Sequence, residues 1–370
     1  MRTKISALYY FNELYISPLQ GMGAWHGVLY LRFMQVHRSI DNLPAFKNAV
    51  ITIGTFDGVH LGHQQIIKQL KEEAGRIDGE TVIITFHPHP RAVVASSKPT
   101  WLLTTLNEKI ILLREFGVDH VVVVPFDEKF SNQTPEAYVH HFLYEKFKPH
   151  TLIIGYDHRF GKNRKGDYHL LERMGKELGF VVKEIPEQVI NAVTVSSTRI
   201  REALLKTDVQ AANSYLGYKY FFEGMVVDGN KLGRTLGYPT ANIIIHDENK
   251  LVPSNGIYVA EAEIEERSMV NGEWSMENNA AENGSLLAAR GSKLFQGMMS
   301  IGVRPTVDGK NRTIEMNIFD FEEDIYGCTM KIFVCAYLRP EEKFNSLDEL
   351  KLRIDKDKED SLKYFRNHKS

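Results

Sequence analysis

The chain has 370 residues, 43% of them apolar, and a formal net charge of −2 at pH 7. That length suits two domains with sizeable cores, and the charge supplies no basic field that would draw nucleic acid. Two cysteines, Cys328 and Cys335, make no disulfide framework and fit a reducing cytoplasmic setting; no run reaches the ~20 apolar residues that span a bilayer.

From the start, residues 1–33 read as an N-terminal extension ahead of the folded protein. Ile5 to Phe11 is apolar but short, and Asn12 and Glu13 interrupt it, which makes a poor signal peptide. Ordered-looking sequence begins at Met34, the expected native start, and residues 34–215 read as one domain. Within it, apolar runs alternate with helix-length segments. Strands are expected at Ala49–Ile53, Thr81–Phe86, His120–Val124, Thr151–Ile154 and Phe180–Ile185, with helices at Gln64–Ala74, Asn107–Phe116, Pro135–Lys146 and Tyr168–Leu178. This alternation predicts an α/β, Rossmann-like domain with a parallel sheet covered on both faces. The continuous Val/Ile strands agree with double coverage. Ligands in such folds bind beyond the carboxyl ends of the strands. Four polar motifs follow strands there: Gly54–His63, Phe86-His87-Pro88-His89-Pro90, Gly155-Tyr156-Asp157 and Ser196-Ser197-Thr198-Arg199.

The first motif, Gly54-Thr55-Phe56-Asp57-Gly58-Val59-His60-Leu61-Gly62-His63, joins a strand to a helix. Free N–H groups at a helix start attract phosphate. Gly54 and Gly62 let the backbone approach a ligand closely. His60 and His63, three apart, can share one face. Alone, such a pair also suits a metal half-site or polar surface; strand, glycine turn and histidines together favour phosphate chemistry. Neither a G-x-G-x-x-G fingerprint nor a Walker loop is present. Ser196 to Thr198 also read as an ordinary helix cap, but Arg199 adds a planar cation to the first turn.

Residues 216–370 change character. Short strands without intervening helices, at Tyr220–Val227, Thr240–Ile245, Ile257–Glu263, Leu294–Ile301, Thr313–Phe319 and Thr329–Tyr337, predict a six-stranded antiparallel β-barrel. A terminal helix, Leu347 to about Phe365, is expected to pack on it through Leu347, Leu350, Ile354 and Leu362. The polar stretch 267–293 reads as a flexible insertion in a hairpin. Gly229 to Asn242 holds three glycines with Lys231 and Arg234, which suits a loop around phosphate as well as it suits a plain hairpin. Thr240 and Asn242 face one side of a strand and offer oxygens that Mg²⁺ prefers. Glu315 projects with Thr313 and Asn317, either as a solvated strand residue or as a carboxylate that takes a proton from an alcohol.

G-x-F-D-G-x-H-x-G-H followed by S-S-T-x-I-R resembles the nucleotidyltransferases that join a nucleotide to a small phosphorylated molecule. With Phe86–Pro90 and Gly155–Gly161, residues 34–370 resemble the bifunctional bacterial FAD synthetases, whose kinase module carries the P-T-A-N of Pro239–Asn242 and a downstream glutamate matched by Glu315. Gly302–Thr306, Asp324–Gly327 and Arg339–Phe344 also look like that module. The resemblance implies phosphorylation of riboflavin to FMN and adenylylation of FMN to FAD, each with ATP and Mg²⁺. It implies that His60 and His63 contact the ATP phosphates, that Ser197, Thr198 and Arg199 hold the departing pyrophosphate, and that Asp157 positions nucleotide or metal. Gly54, Phe56, Asp57 and Gly62 belong to the same nucleotide site, and Asn163 and Arg164 shape the flavin or phosphate end. In the barrel it implies Mg²⁺-ATP at Thr240 and Asn242, with Lys231, Gly233, Arg234 and Pro239 around the phosphates. Arg339 would lie at the flavin end, and Glu315 would activate the ribityl 5′-hydroxyl. The sequence departs from the family at His158, where Phe is usual, and at Val195, where Ile is common. Competing readings are a nucleotidyltransferase for another phosphorylated substrate and a flavin- or nucleotide-binding regulator without turnover. The implied partners are riboflavin, FMN and ATP, with no nucleic acid and no membrane; the oligomeric state is not legible.

Overall fold

A computed structural model describes residues 34–94, 101–185, 195–229, 232–265, 269–270, 273–274, 293–306 and 309–368. The extension 1–33, Lys231 and most of the 267–293 insertion lie outside the described residues. The described residues belong to one compact unit that contains a parallel sheet and a closed barrel.

Six parallel strands form the sheet: β1 (Gln35–His37), β2 (Val50–Ile53), β3 (Thr81–His87), β4 (His120–Pro125), β5 (Thr151–Gly155) and β6 (Val181–Ile185), in the order β1-β4-β3-β2-β5-β6. The Val/Ile runs of β2, β4 and β5 are buried on both faces. Coverage fails at one edge: Val181 in β6 is exposed, because β6 pairs only with β5. At the other edge β1, too short to carry a sequence period, pairs with β4. The chain runs outward from β2 in both directions, to β3 and to β5, so the end of β2 is the switch point where doubly wound sheets hold ligands.

Local chemistry sets the helices. Thr105 and Glu108 form a capping box at the start of Leu106–Glu115, and Asp167 caps Tyr168–Leu178. The expected helix from Pro135 is α-helical at Pro135–Ala137 and Glu145–Phe147 but π-helical over Tyr138–Tyr144. Phe130, Tyr138, Phe142 and Phe160 pack their rings there, with centroids about 5–6 Å apart. After the sheet, Ser197–Leu205 and Val209–Leu216 lead into the barrel.

The barrel is β7 (Phe221–Val227), β8 (Ala241–Ile244), β9 (Gly256–Glu265), β12 (Phe295–Thr306), β13 (Gly309–Ile318) and β14 (Thr329–Arg339), closed as β12-β13-β8-β7-β14-β9. A small hairpin, β10 (Met269–Val270) and β11 (Glu273–Trp274), lies in the insertion. Tyr258, Met299, Ile301, Met316, Ile332 and Val334 fill the barrel. Cys335 is buried, whereas Cys328 is only half-buried. The terminal helix Leu347–Asn367 packs through Ile354, Leu362 and Phe365; Leu347, expected on that face, is exposed. A buried ion pair takes part of the seam instead: Asp357 receives Arg339 Nη2 at 2.6 Å and Nε at 2.8 Å.

Barrel and sheet share a seam. Leu102 bridges to Lys250, with Leu102 N donating to Asn249 O at 2.7 Å and Leu251 N to Leu102 O at 2.8 Å. Lys250, fully buried, gives its ammonium to Glu108 Oε2 at 2.6 Å, Leu103 O at 2.7 Å and Phe221 O at 2.9 Å.

Candidate functional site

The histidine turn occupies the switch point. Gly54 N donates to Ile84 O at 3.0 Å, which fixes the chain as it leaves β2. Phe56 (φ +47°) and Val59 (φ +34°) then adopt backbone angles that bulky residues rarely hold. Such angles persist only where the surroundings over-determine them, and they gather at ligand-binding turns. Gly58, at φ +81°, could not carry a side chain: a Cβ would lie 2.8 Å from Leu103. His60 stands at the N-cap of helix Leu61–Arg76 but makes no capping bond through its side chain.

Asp57, 1% exposed, holds this turn in place. Its Oδ1 accepts from the N–H groups of Leu103 (2.9 Å) and Thr104 (3.1 Å), and its Oδ2 pairs with Arg201. Ser197 Oγ donates to Asp57 O at 3.0 Å. The Ser-Ser-Thr-Arg helix start is thereby brought against the histidine turn, as the sequence led one to expect. Asp57, expected as a nucleotide contact, has both carboxylate oxygens engaged inside the protein. Arg201 was not singled out by the sequence reading; the signal was its place four residues after Ser197, on the same helix face. Arg199 and Thr198 sit exposed on the first turn.

The rings of His60 and His63 stack at 3.8 Å, 17° from parallel, and Phe56 lies 4.9 Å from His63. Both Nδ1 atoms are buried and, among the described residues, have no hydrogen-bond partner. Burial pushes His60 down to about 4 despite the opposing pull of Asp57. It pushes His63 well below the usual imidazole range, helped by the charges of His60 and Lys109. The pair is therefore neutral at pH 7 and presents nitrogen atoms with unmet hydrogen-bonding capacity. Gly62 packs close beside it: a Cβ there would stand 3.2 Å from the His60 ring and press on the stack.

This arrangement has a thermodynamic signature. An unfolded imidazole takes its proton near 6.5, whereas folded His60 resists protonation until about 4. The unfolded chain binds the extra proton between those values, so stability falls as pH drops through that window. For His60 alone the loss reaches about 2 kcal/mol by pH 5, at 1.36 kcal/mol per unit. Ligand-free protein is expected to melt progressively lower from pH 7 to pH 5, above the range of ordinary carboxylates. A flat melting temperature over that interval would contradict neutral buried histidines.

Other predicted residues of this half line the same rim without touching the pair. Asp157 is exposed after β5, and Asn163 (φ +56°) and Arg164 (φ +57°) are exposed in the turn that follows. His158 rests on Phe160, ring centroids 5.8 Å apart, with Nε2 buried and unpartnered; burial pushes it to about 4. Among the described residues no hydrogen bond joins this group to His60 or His63.

In the barrel, β13 and β8 pair with Glu315 opposite Asn242. Thr240, one residue before β8, donates its hydroxyl to Glu315 Oε2 at 3.3 Å. Thr240, Asn242 and Glu315 thus share the outer face of the barrel wall, while Ala241, Ile314 and Met316 point into the core. Asn317 Nδ2 donates to Pro239 O at 2.7 Å, fixing the approach to Thr240. Two glycines make room: a Cβ on Gly229 would lie 2.0 Å from Asn242 Nδ2, and one on Gly233 would lie 2.2 Å from Tyr238 O. Arg234 is exposed beside them. Arg339, expected at a flavin, spends its guanidinium on Asp357 and so ties β14 to the terminal helix.

Comparison with known proteins divides the chain where the architecture changes. The FAD synthetase family matches residues 43–199 and the riboflavin kinase family matches residues 216–365. The chain is 33% identical over 333 residues to the bifunctional riboflavin kinase/FMN adenylyltransferase of Haemophilus influenzae, covering 90% of this chain and 99% of that protein. It is 35% identical over 328 residues to the protein of the same description from Bacillus subtilis, covering 86% and 93%. A solved structure from Streptococcus pneumoniae, described as a macrolide-efflux protein, superposes with a TM-score of 0.70 at 27% identity, covering 88% of this chain and 98% of that one. Among the described residues no helix is long and apolar enough to cross a membrane.

Proposed function

The chain belongs to the bifunctional riboflavin kinase/FMN adenylyltransferase family, and from that premise we propose how each of its two sites works. The observation that carries the proposal is the presence of two separate constellations on one chain, a neutral histidine stack at the sheet's switch point and a Thr–Glu pair on the barrel wall.

At the barrel, riboflavin is phosphorylated by ATP. Glu315 accepts the proton of the ribityl 5′-hydroxyl as its oxygen bonds to the γ-phosphorus and ADP departs. Thr240 Oγ1 orients the carboxylate from 3.3 Å. The oxygens of Thr240 and Asn242 suit Mg²⁺, a hard ion, and Gly229, with no side chain of its own, lets the backbone pack directly against the Asn242 amide and hold it in place. When bound, Mg²⁺ neutralises phosphate charge. Lys231, Gly233 and Arg234 flank the phosphates.

At the sheet, an FMN phosphate oxygen attacks the α-phosphorus of ATP, and the bond to the β-phosphate breaks to release pyrophosphate. FMN's phosphate is already ionised, so this half has no need of a general base; positioning and charge stabilisation do the work. His60 and His63 donate to the α-phosphate, and Ser197, Thr198 and Arg199 hold the leaving pyrophosphate at their helix start. Asp57 and Arg201 act as positioning residues that lock the turn to that helix. Asp157, Asn163 and Arg164 form the outer wall. Both reactions take place in the cytoplasm.

Incubating the pure protein with riboflavin, ATP and Mg²⁺ and resolving the flavins over time tests the reading. FMN is expected first, then FAD with pyrophosphate. FMN without FAD, even when FMN is supplied, would remove the role given to the histidine turn.

A further inference from the structure

Two adjacent residues of helix Leu106–Glu115 carry opposite charges into the interior and meet different fates. Glu108 turns to the seam and takes the ammonium of Lys250. Lys109, 5% exposed, turns to the underside of the histidine turn. Its Nζ has one partner there, Thr85 Oγ1 at 3.3 Å, and Thr85 in turn donates to Thr55 O of the turn at 3.2 Å. Among the described residues no carboxylate lies within 4 Å of this ammonium. Asp57, the acid whose charge acts on it, is already engaged by Arg201.

A buried ammonium without a counter-ion is costly, and proteins rarely keep one without use. Lys250, equally buried, shows what satisfaction looks like in this same protein: one carboxylate and two carbonyls. Among the described residues Lys109 lacks such a set, and its charge acts on His63, whose Nδ1 also has no partner there.

We propose that Lys109 is a further catalytic residue of adenylyl transfer, whose ammonium pairs with a phosphate oxygen of the bound nucleotide and stabilises the negative charge gathered around the α-phosphorus. The inference rests on adenylyl transfer occurring at the histidine turn. No proton or bond changes hands at Lys109. The side chain supplies a fixed charge in a water-poor place, where it counts for more than at the surface. Burial also lowers its proton affinity to about 8, with Asp57 opposing. The charged and titratable groups facing it are Asp57, His63, His87 and His89. The three imidazoles are all held below the usual range, so they are neutral where Lys109 titrates.

The test uses the full chain and supplied FMN, with riboflavin phosphorylation measured in the same sample. Lys109→Met is expected to lower adenylylation about 10–100-fold, the span of one charge-assisted hydrogen bond, and to leave phosphorylation of riboflavin intact. The melting temperature of the ligand-free protein should rise, because an unpaired buried charge has been removed. Lys109→Arg should recover part of the activity and extend the kcat/KM profile to higher pH, since arginine stays charged where lysine loses its proton. Adenylylation within about threefold of the parent in Lys109→Met overturns the inference. So does a lower melting temperature with both activities reduced, which marks a structural lysine. His63→Ala separates the two levels: if it abolishes adenylylation while Lys109→Met does not, only the lysine's role falls. If neither matters, the placement of the site falls too.

Discussion

Glu315→Gln is expected to cut FMN formation from riboflavin by about 10²–10⁴-fold, the usual contribution of a positioned general base. Adenylylation of supplied FMN should continue at the parental rate. The substitution is nearly isosteric, and the amide oxygen can still accept from the Thr240 hydroxyl that now donates to Oε2 at 3.3 Å. What it removes is the capacity to take a proton. The loss should therefore fall on kcat and leave the KM for riboflavin close to its parental value. The residue sits on the outer face of β13, opposite Asn242 of β8, so the barrel core is untouched and the melting temperature should hold. Steady-state assays with each flavin supplied separately decide the matter. If both activities vanish in a protein that melts normally, the two sites are not separate. If FMN formation is unchanged, Glu315 is only a strand residue facing solvent.

His63→Ala is expected to lower FAD formation from FMN by about 10²–10³-fold, the cost of losing one preorganised donor aimed at developing charge. The ring is held between His60 at 3.8 Å and Phe56 at 4.9 Å, and its Nδ1 has no partner among the described residues. Removing it breaks no internal hydrogen bond of that atom, and the effect should be catalytic before it is structural. Kinase activity in the same chain provides the control. FAD formation at the parental rate would exclude the histidine from the transition state.

Much of this was legible from residues alone. Continuous Val/Ile strands gave the parallel sheet because both faces of its centre are covered, and they misled only at β6, which has one neighbour. The barrel strands were legible as short runs between turn residues. The histidine turn and the Thr240–Asn242 pair were legible because glycine, histidine and hydroxyl residues at strand ends have few structural reasons to be there. What stayed hidden depends on contacts between residues far apart in sequence. Asp57 looked like a ligand and serves as an anchor because its partners are Leu103, Thr104 and Arg201. Arg339 looked like a flavin contact until Asp357, 18 residues later, claimed it. The π-helical segment of Tyr138–Tyr144 has no sequence period of its own that marks it off from the α-helical turns on either side.

The seam at Lys250 bears on how such an enzyme can change over time. A chain severed near residue 216 would leave Glu108 in one fragment and its cation in the other, and parting the fragments would open the seam that buries them to water. It would also deprive Leu102 of the backbone partners beside the residues that steady Asp57. The halves are therefore not interchangeable cassettes. A lineage that dispensed with either one would first have to rewrite this joint, and a swap between relatives would succeed only where acid and lysine travelled together.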